Sequence, residues 1–273
     1  FRYVSTNKKY MIIQNMFRRQ EELKDFDQNK LSDETVLVLG VGGIGTNVAI
    51  GLVRLGVKRI ILIDKDIIED HNLNRQQLYS KDDVGKKKVE VAKEKLEACH
   101  NICTKIDFHH LDALKSWQAI VTLARECTVV FNTIDHGDMF DVCVGALCHK
   151  LQIPMFLGGT EPFYGHLFST FCQYVDGPCY SCVHDYKDAP LEVSKIESYD
   201  DISFIPQDVH PEIGGSTTYS ASMCSQLLLS QYTTNRMRQD GFQQKHTCIM
   251  SLINLELTTF VNSKSQTCIV CSK

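Results

Sequence analysis

Short, wholly apolar segments alternate with amphipathic segments through the first 160 residues of the chain. Residues 36–39 are such an apolar run, and residues 59–64 contain a second one between Arg59 and Asp64. Their lack of polar alternation predicts strands buried on both faces of a parallel sheet. Between them, residues 46–55 have helical spacing, and Gly56 is placed to end the helix. These segments therefore predict one parallel strand–helix–strand unit.

The alternation continues to about residue 157. Beyond it, residues 165–175 and the tail from residue 248 have the pattern of β-strands, whereas residues 217–230 have helical spacing. This order predicts an α/β fold with a Rossmann-like, mostly parallel sheet and a β-rich C-terminal half. The other predicted elements are helices over 86–99, 116–125 and 140–150 and strands over 105–109, 128–131 and 153–157.

Two segments differ in character from the rest of the predicted domain, which spans residues 32–273. Residues 1–31 are polar and weakly helical, and they predict an N-terminal helical arm used for dimerisation. Residues 184–215 have no regular period and predict a long crossover loop inside the domain. Because the chain begins with Phe1 rather than Met, we expect that part of the natural N-terminus is missing from it.

The composition narrows the class of protein. Hydrophobic residues make up 43% and charged residues 23% of the chain, as in ordinary globular domains. The net charge of −4 gives no indication of the basic face that nucleic-acid binding needs. The absence of a long apolar run and of a secretory signal predicts a cytoplasmic protein that does not bind membranes.

The strongest local motif is the glycine-rich turn after the first strand, Gly40-Val41-Gly42-Gly43-Ile44-Gly45. Glycines let the backbone approach a ligand, and the N-terminus of a helix offers free N–H groups to phosphate. Asp64 ends the next strand, where a carboxylate can accept hydrogen bonds from ribose hydroxyls. In this setting the motif predicts a nucleotide site, as in NAD enzymes. The alternative is a turn that needs glycine for packing alone.

Three further side chains favour triphosphate chemistry over hydride transfer: Arg75, Lys88 and Asp135. Asp135 follows a predicted strand, so we expect it at the same edge of the sheet as Asp64. The two cations would neutralise phosphates, and the acid would hold magnesium. Two of them have a simpler alternative, since residues 86–88 could begin a solvated helix and Asp135 could cap one.

Together these motifs resemble the superfamily of ubiquitin-activating enzymes and their bacterial relatives of the ThiF and MoeB type. Those relatives adenylate the sulfur carriers of thiamine and molybdopterin synthesis or the peptide of microcin C-type antibiotics. The resemblance covers about residues 16–273 and includes Gly40-x-Gly42-Gly43-x-Gly45, Asp64, Asn74-Arg75-Gln76, Gly85-x-x-Lys88 and Asp135. It implies that the glycine turn, Asp64, Asn74 and Gln76 bind ATP, that Arg75 and Lys88 contact phosphates, and that Asp135 binds magnesium.

The chain departs from this family's pattern at two places. The family has an Arg-Tyr-x-Arg-Gln element whose second arginine reaches the ATP of the partner subunit, and the nearest match here is Met16-Phe17-Arg18-Arg19-Gln20. The resemblance therefore implies a catalytic role for Arg19 in a homodimer, with a solvated helix charge as the alternative. The family arginine five residues after the magnesium acid is replaced by Phe140, which leaves one phosphate or substrate contact in doubt.

Four of the twelve cysteines form two C-x-x-C pairs, Cys179 with Cys182 and Cys268 with Cys271. Each pair can place two thiolates on one metal, and two pairs together predict a closed tetrahedral zinc site. A redox pair would normally begin a helix and would not need a second copy. Because four sulfur ligands leave no open position, we expect this zinc to be structural.

The chain has no cysteine between Cys182 and Cys224, the region where compact relatives of ubiquitin-activating enzymes carry their nucleophile. Cys224 falls inside a predicted helix among apolar residues, as do Cys143 and Cys148, and all three are expected to be buried thiols. We therefore predict adenylation without a thioester of the family type.

The predicted function is activation of the C-terminal carboxylate of a ubiquitin-like carrier protein or peptide as an acyl-adenylate, with ATP, magnesium and zinc as the cofactors. Two rivals remain at this stage. An NAD-dependent oxidoreductase explains the glycine turn and Asp64 but not Arg75, Lys88 or Asp135. A non-catalytic partner subunit of a heterodimer is compatible with the missing arginine at Phe140.

Overall fold

The computed structural model describes residues 16–100, 103–160, 167–184, 192–206, 216–237 and 245–271, and a central mixed sheet organises this part of the chain. Its strands are β1 (Thr35–Leu39), β2 (Arg59–Asp64), β3 (Lys105–His110), β4 (Val129–Asn132), β5 (Met155–Thr160), β6 (Leu167–Gln173), β7 (Thr247–Ser251) and β8 (Glu256–Phe260). They lie in the order β3-β2-β1-β4-β5-β6-β7-β8. The first five strands are parallel and the last three antiparallel, which confirms the predicted fold class.

Helices cover both faces of the sheet. They are α1 (Arg18–Glu21), α2 (Gln28–Ser32), α3 (Gly43–Leu55), α4 (Lys88–Lys95), α5 (Trp117–Ala124), α6 (Asp138–Leu151), α7 (Tyr180–His184) and α8 (Thr218–Arg236). The helix predicted from residue 46 begins three residues earlier, because the last glycines of the turn form its first turn. Gly56 ends it in the left-handed conformation with φ 77°, as predicted.

The helix predicted over residues 86–99 is shorter than expected, since α4 begins at Lys88 and a wide π-type turn follows it from Leu96 to His100. Its start is delayed because the preceding backbone pairs with residues 66–68. The N–H of Ile68 donates to the Lys86 carbonyl at 2.8 Å, and the N–H of Lys88 donates to the Asp66 carbonyl at 3.1 Å. Hydrophobic periodicity does not report such a contact.

The apolar runs are explained by two cores, one on each face of the sheet. Along β1 and β2, alternate side chains pack against α5 and α6 or against α3 and α8. Both sets are fully buried, namely Leu37, Leu39, Ile61 and Ile63 on one face and Val36, Val38, Ile60 and Leu62 on the other. Strands covered on both faces have no polar face, which is why they read as continuous apolar segments.

A crevice forms at the carboxyl edge of the sheet, where the chain changes direction between β1 and β4. From β1 the chain passes outward to β2 and β3 and then returns to β4 on the other side of β1. The loops after β1 and β4 therefore diverge, and such switch points are where open α/β sheets bind ligands. At this edge Gly40 follows β1, Asp64 is the last residue of β2, and Asp135 comes three residues after β4.

Helix α8 brings its N-terminal end beside the glycine turn because it packs closely along α3. A methyl group at Gly51 would overlap Leu229, so the two helices approach where α3 has no side chain. The Ser225 hydroxyl also donates to the Ile44 carbonyl at 3.0 Å. The crevice thus has one wall made from a helix that lies nearly 200 residues after the turn.

Only part of the predicted crossover loop and N-terminal arm lies within the described residues. Residues 192–206 are irregular and pack against α5, where Trp117 Nε1 donates to the Ile196 carbonyl at 2.7 Å. Residues 1–15, 185–191 and 207–215 lie outside the described part, so the boundaries of both segments stay predictions. None of the helices that the structure describes combines the length and apolar character needed to cross a bilayer.

The aromatic cluster under β4 gives a test of the core. Phe131 is fully buried, stacks on Phe156 at 5.3 Å between ring centroids and meets the edge of Tyr232 at 5.5 Å. We expect Phe131→Ala to lower the free energy of unfolding by about 3–5 kcal/mol because it leaves a cavity. Urea denaturation measures this loss. Leu23→Ala, at a side chain that is 60% exposed, is the control and should change stability by less than about 0.5 kcal/mol; equal losses would contradict the assignment of the core.

Candidate active site

The glycine turn is shaped by backbone contacts that leave no room for side chains. Gly40 has φ +86°, and a methyl group there would lie 2.8 Å from the Thr133 carbonyl oxygen. A methyl group at Gly45 would overlap the carbonyl oxygen of Gly40. At Gly42 the nearest atom to such a group is Gln76 Nε2 at 3.7 Å, so this position opens toward the crevice. Two glycines are therefore required by the turn itself, whereas Gly42 leaves space beside it.

Asp64 fastens the turn to the end of β2. One carboxylate oxygen accepts the N–H of Val41 at 2.8 Å, and the other accepts the N–H of Asp66 at 2.8 Å. Burial raises the pKa of Asp64, and the Lys88 ammonium and the two N–H groups oppose that shift. Because each oxygen can accept more than one hydrogen bond, Asp64 can order the turn and still face a ribose hydroxyl.

Lys88 is nearly buried and points its ammonium group to the same edge of the sheet. It is 5% exposed, and its Nζ lies 2.9 Å from Asp66 Oδ2. Its neighbours Lys86 and Lys87 are exposed, and they pair with the buried Asp83 and the exposed Glu90. The alternative of a solvated helix start therefore describes Lys86 and Lys87, while Lys88 belongs to the crevice.

Arg75 and Asp135 lie close enough across the crevice for each charge to act on the other. The Arg75 side chain lies against Gly43, where an added methyl group would be 3.2 Å from Cγ. Burial lowers the pKa of Arg75 and the charge of Asp135 raises it. For Asp135 the effects are reversed, since burial raises its pKa and Arg75 and His136 lower it. Asn74 orients the guanidinium, since Arg75 Nη1 donates to Asn74 Oδ1 at 2.9 Å.

Asp135 lies in the connection between β4 and α6 and is not the cap of that helix. The N-cap residue is Gly137 with φ 115°, and Asp135 comes two residues before it. Within the described part of the chain no hydrogen bond to the Asp135 carboxylate is seen, and the side chain is exposed to the crevice. A single open carboxylate beside a phosphate site fits magnesium, which binds one or two carboxylates and completes its shell with water and phosphate oxygens.

Gln76 lies beside Gly42 of the glycine turn, and its side-chain oxygen is buried and unpaired among the described residues. It is 3% exposed, and its Oε1 is buried without a hydrogen-bond partner among the described residues. Such an orphaned acceptor is costly in an otherwise satisfied fold. A nucleotide donor or a water molecule beside Gly42 would satisfy it, which agrees with the predicted ATP-binding role.

Two predicted features fall outside the crevice. Arg19 is exposed on α1, which packs against the opposite end of α3, where Gln20 Nε2 donates to the Leu55 carbonyl at 3.5 Å. With 13 residues in α3, that end is about 20 Å from the glycine turn. The structure therefore does not bring Arg19 together with the site of its own chain. Phe140 is fully buried in α6, so it leaves no polar contact where the family has arginine.

The four cysteines of the two C-x-x-C pairs converge as predicted. Their sulfur atoms all lie within 4.8 Å of one another, with Cys179 and Cys268 at 3.3 Å and Cys182 and Cys271 at 3.2 Å. Zinc–sulfur bonds of about 2.3 Å in a tetrahedron place sulfur atoms about 3.8 Å apart, so the cluster fits zinc. Burial and the adjacent Cys182 raise the pKa of Cys179, so four thiolates here need a cation.

The remaining cysteine predictions agree with the structure. Cys143, Cys148 and Cys224 are fully buried, and burial raises the pKa of each thiol. Cys224 lies against the carbonyl of Ser169 and faces Gly158 of β5. A neutral, enclosed thiol is a poor nucleophile, which agrees with the predicted absence of a family-type thioester at this position.

Sequence reasoning missed two residues that shape the site. Asp66 pairs with Lys88, and Thr133 ties the connection after β4 to the turn by donating to the Gly40 carbonyl at 2.9 Å. The acid two residues beyond Asp64 was a signal for the first. Nothing in the sequence indicated the second, because it depends on the pairing of β1 with β4.

The comparisons with known proteins agree with this geometry. A model described as the ThiF family matches residues 14–267. The adenylyltransferase and sulfurtransferase MOCS3-1 of Zea mays is 30% identical over 170 residues, which are 61% of this chain and 35% of that protein. The molybdopterin-synthase adenylyltransferase of Escherichia coli K12 is 32% identical over 171 residues, which are 61% of this chain and 66% of that protein. The match thus spans about a third of the maize protein and just under two thirds of the bacterial one.

Solved structures share the fold. The crystal structure of E. coli MccB with MccA-N7isoAsn has a TM-score of 0.73 and 22% identity, and the match covers 99% of this chain and 76% of MccB. At this identity the likeness shows the fold, including the β-rich C-terminal half.

The two kinds of glycine in the turn give a test. Gly45→Ala forces a methyl group onto the Gly40 carbonyl, so we expect a loss of stability of more than about 2 kcal/mol. Gly42→Ala has space in the fold and should unfold like the wild type, yet its methyl group enters the crevice and should weaken ATP binding by more than about tenfold. Thermal unfolding and calorimetric titration with ATP separate the two. If the Gly42→Ala variant bound ATP with the wild-type affinity, the assignment of phosphate binding to this turn would be wrong.

The tetrad predicts a measurable metal content. We expect one zinc ion per chain by elemental analysis, and Cys271→Ser should lose it and unfold at lower temperature, because a closed zinc site contributes directly to folding. The control is Cys103→Ser, at an exposed cysteine, which should keep the zinc. Full zinc content in the Cys271→Ser variant would contradict the assignment.

Proposed function

The chain belongs to the ThiF family, and on that premise we propose that it is an ATP-dependent adenylyltransferase. It activates the C-terminal carboxylate of a small carrier protein or peptide as an acyl-adenylate. The observation that carries the proposal is the convergence of the glycine turn, Arg75, Lys88 and Asp135 at one crevice. Hydride transfer needs none of the last three side chains, so they favour triphosphate chemistry over an oxidoreductase.

The proposed reaction is a displacement at phosphorus. A carboxylate oxygen of the substrate attacks the α-phosphorus of ATP, the bond from that phosphorus to the bridging oxygen breaks, and pyrophosphate leaves with the electron pair. The carboxylate is already ionised at neutral pH, so no general base is required. Catalysis then depends on positioning and on neutralising the charge that develops on the phosphates.

Different residues of the crevice would bind different parts of ATP. The N–H groups of the glycine turn and the first turn of α3 receive phosphate oxygens, and Asp64 faces the ribose. Arg75 offers two parallel N–H donors to phosphate, and its orientation is set by Asn74. Lys88 supplies a point charge, and its pairing with Asp66 leaves two of its three N–H donors for an anion.

Asp135 would hold magnesium together with phosphate oxygens. When bound, the ion would neutralise phosphate charge and favour departure of pyrophosphate. Burial raises the pKa of Asp135. The charge of Arg75 opposes that change and so favours the ionised carboxylate that a metal requires. Arg75 would therefore have two roles: it would bind phosphate, and its charge would favour the ionised form of Asp135.

The substrate and the assembly are further parts of the proposal. The names of the relatives indicate molybdopterin synthase as a target in one case, and MccB was solved with the peptide MccA in another. We infer a substrate of this class, a small protein or peptide with a free C-terminus. Arg19 is exposed and far from the crevice of its own chain, so its use in catalysis requires a homodimer in which it reaches the partner's ATP.

A non-catalytic partner subunit is the second candidate, and the buried Phe140 is the observation that favours it. A chain of that kind would bind nucleotide without turning it over. Exchange of labelled pyrophosphate into ATP, assayed with candidate carriers and peptides, separates the two functions.

Two substitutions test the catalytic proposal. Asp135→Ala should abolish ATP–pyrophosphate exchange, and Arg75→Ala should reduce its rate by about 10³-fold or more by analogy with other phosphate-clamping arginines. Both side chains are at the surface of the crevice, so thermal unfolding should change little. Arg125→Ala, at a surface ion pair with Glu197, is the matched control and should exchange at the wild-type rate. Exchange at the wild-type rate in Asp135→Ala would end the proposal.

A further inference from the structure

Tyr180 lies between the cysteine tetrad and the candidate active site. It is the second residue of the Cys179-x-x-Cys182 pair and the first residue of α7, and it is 4% exposed. Its ring meets the edge of Phe171 at 5.3 Å and stacks on His184 at 4.2 Å between centroids. The tetrad on one side and the aromatic contacts on the other therefore fix the direction of its hydroxyl.

The hydroxyl of Tyr180 reaches the first turn of α6. It donates to Asp138 Oδ1 at 2.8 Å, and Asp138 is the first residue of that helix. One turn later, Asp141 Oδ1 accepts from Asn132 Nδ2 at 2.7 Å. The Tyr180 side chain is also a hydrogen-bond partner of the Asp141 carboxyl. The start of α6 is thus held from two sides, by a phenol from the cysteine-bearing segment that contacts Asp138 and Asp141 and by an amide from the end of β4.

These two anchors enclose the connection that carries Asp135. Residues 133–137 join Asn132 to Asp138, and Gly137 in this connection has φ 115°, which gives the backbone unusual freedom. On the side toward β4, Thr133 donates to the carbonyls of Leu39 and Gly40, and the N–H of Ile134 donates to Asn132 Oδ1 at 3.4 Å. On the other side, the connection ends at Asp138. The position of Asp135 therefore depends on how firmly Asp138 is held.

The backbone of Tyr180 is itself fastened to α6. Its N–H donates to Gln173 Oε1 at 3.2 Å, and Gln173 Nε2 donates to the Gly145 carbonyl at 2.7 Å. A methyl group at Gly145 would lie 3.4 Å from Tyr180 Cβ, so the two helices pack without a gap. Displacement of the cysteine segment would thus be transmitted to α6.

We propose that Tyr180 is a positioning residue that couples the four-cysteine site to Asp135, by holding the first turn of α6 through Asp138. The coupling of the two sites rests on contacts within the chain, and its catalytic meaning rests on the proposed function. A closed zinc site has no free coordination position, so it would influence the reaction through contacts between the cysteine segment and α6, and the contact at Asp138 is the one nearest to Asp135 in sequence.

The first test measures the connection itself. In Tyr180→Phe the ring packing is kept and one hydroxyl is lost, so zinc content should stay at one ion per chain. Amide hydrogen exchange over residues 133–141 should accelerate by about tenfold, the value of one hydrogen bond to a charged group. Tyr174→Phe is the matched control, since it removes another buried hydroxyl, which donates to the Lys245 carbonyl at 3.2 Å. Its exchange over 133–141 should equal that of the wild type.

A second variant tests whether the effect passes through Asp138. Asp138→Ala should also accelerate exchange over 133–141, and the double variant should show less than the sum of the two single effects, because both substitutions break the bond between Tyr180 and Asp138. Cys271→Ser, which loses the metal, should accelerate exchange in the same segment. Additive effects, or unchanged exchange in Tyr180→Phe, would overturn the proposal.

The functional readout is the magnesium dependence of nucleotide binding. For Tyr180→Phe, the magnesium concentration that gives half-maximal binding of a non-hydrolysable ATP analogue should rise by about fivefold, since a less ordered carboxylate must be fixed on binding. Binding of the analogue without magnesium should not change. A wild-type protein that bound no nucleotide would refute the proposed function, whereas the hydrogen-exchange comparison would still decide the positioning role.

Discussion

The candidate site depends on the pair of hydrogen bonds that Asp64 accepts from the backbone at the ends of β1 and β2. The N–H of Val41 and the N–H of Asp66 share one buried carboxylate, which fixes the glycine turn relative to the second strand. The Cα position of Gly45 then faces the Gly40 carbonyl without space for a methyl group. The first turn of α3 is therefore aimed at one point, and every other side chain of the site is arranged around that point.

The charges at this edge are organised before any ligand binds. Lys88 and Asp66 form one pair, and Arg75 and Asp135 influence each other across the crevice. A buried or half-buried cation without a partner would be costly, and each of these two has an acid near it. Both acids are exposed and the Lys88 ammonium is nearly buried, which leaves the acids free to turn toward a metal or solvent when phosphate arrives. A nucleotide thus replaces existing interactions rather than filling an uncompensated site.

The sequence was sufficient for features that depend on local chemistry. Strands covered on both faces must be apolar throughout, so β1, β2 and β4 were predicted to within a residue or so. The cysteine tetrad followed from ligand spacing alone. Features that depend on contacts distant in sequence were not predictable. The late start of α4 reflects pairing of residues 85–88 with 66–68, and the bond from Tyr180 to Asp138 joins segments 42 residues apart.

The relation between the tetrad and the crevice follows from where the sheet changes direction. The parallel half, up to β5, carries the glycine turn, Asp64 and Asp135, while the antiparallel half brings the four cysteines together behind α6. Helix α6 faces both groups, because Met139 and Phe140 at its start are in the same core cluster as Cys179 and Cys268. On the proposed function, a zinc ion in the tetrad would be closed to substrate and would act on the reaction by fixing this helix. The cysteine-bearing half would then help to place Asp135, since a displacement of about 1 Å is enough to cost a large fraction of the rate.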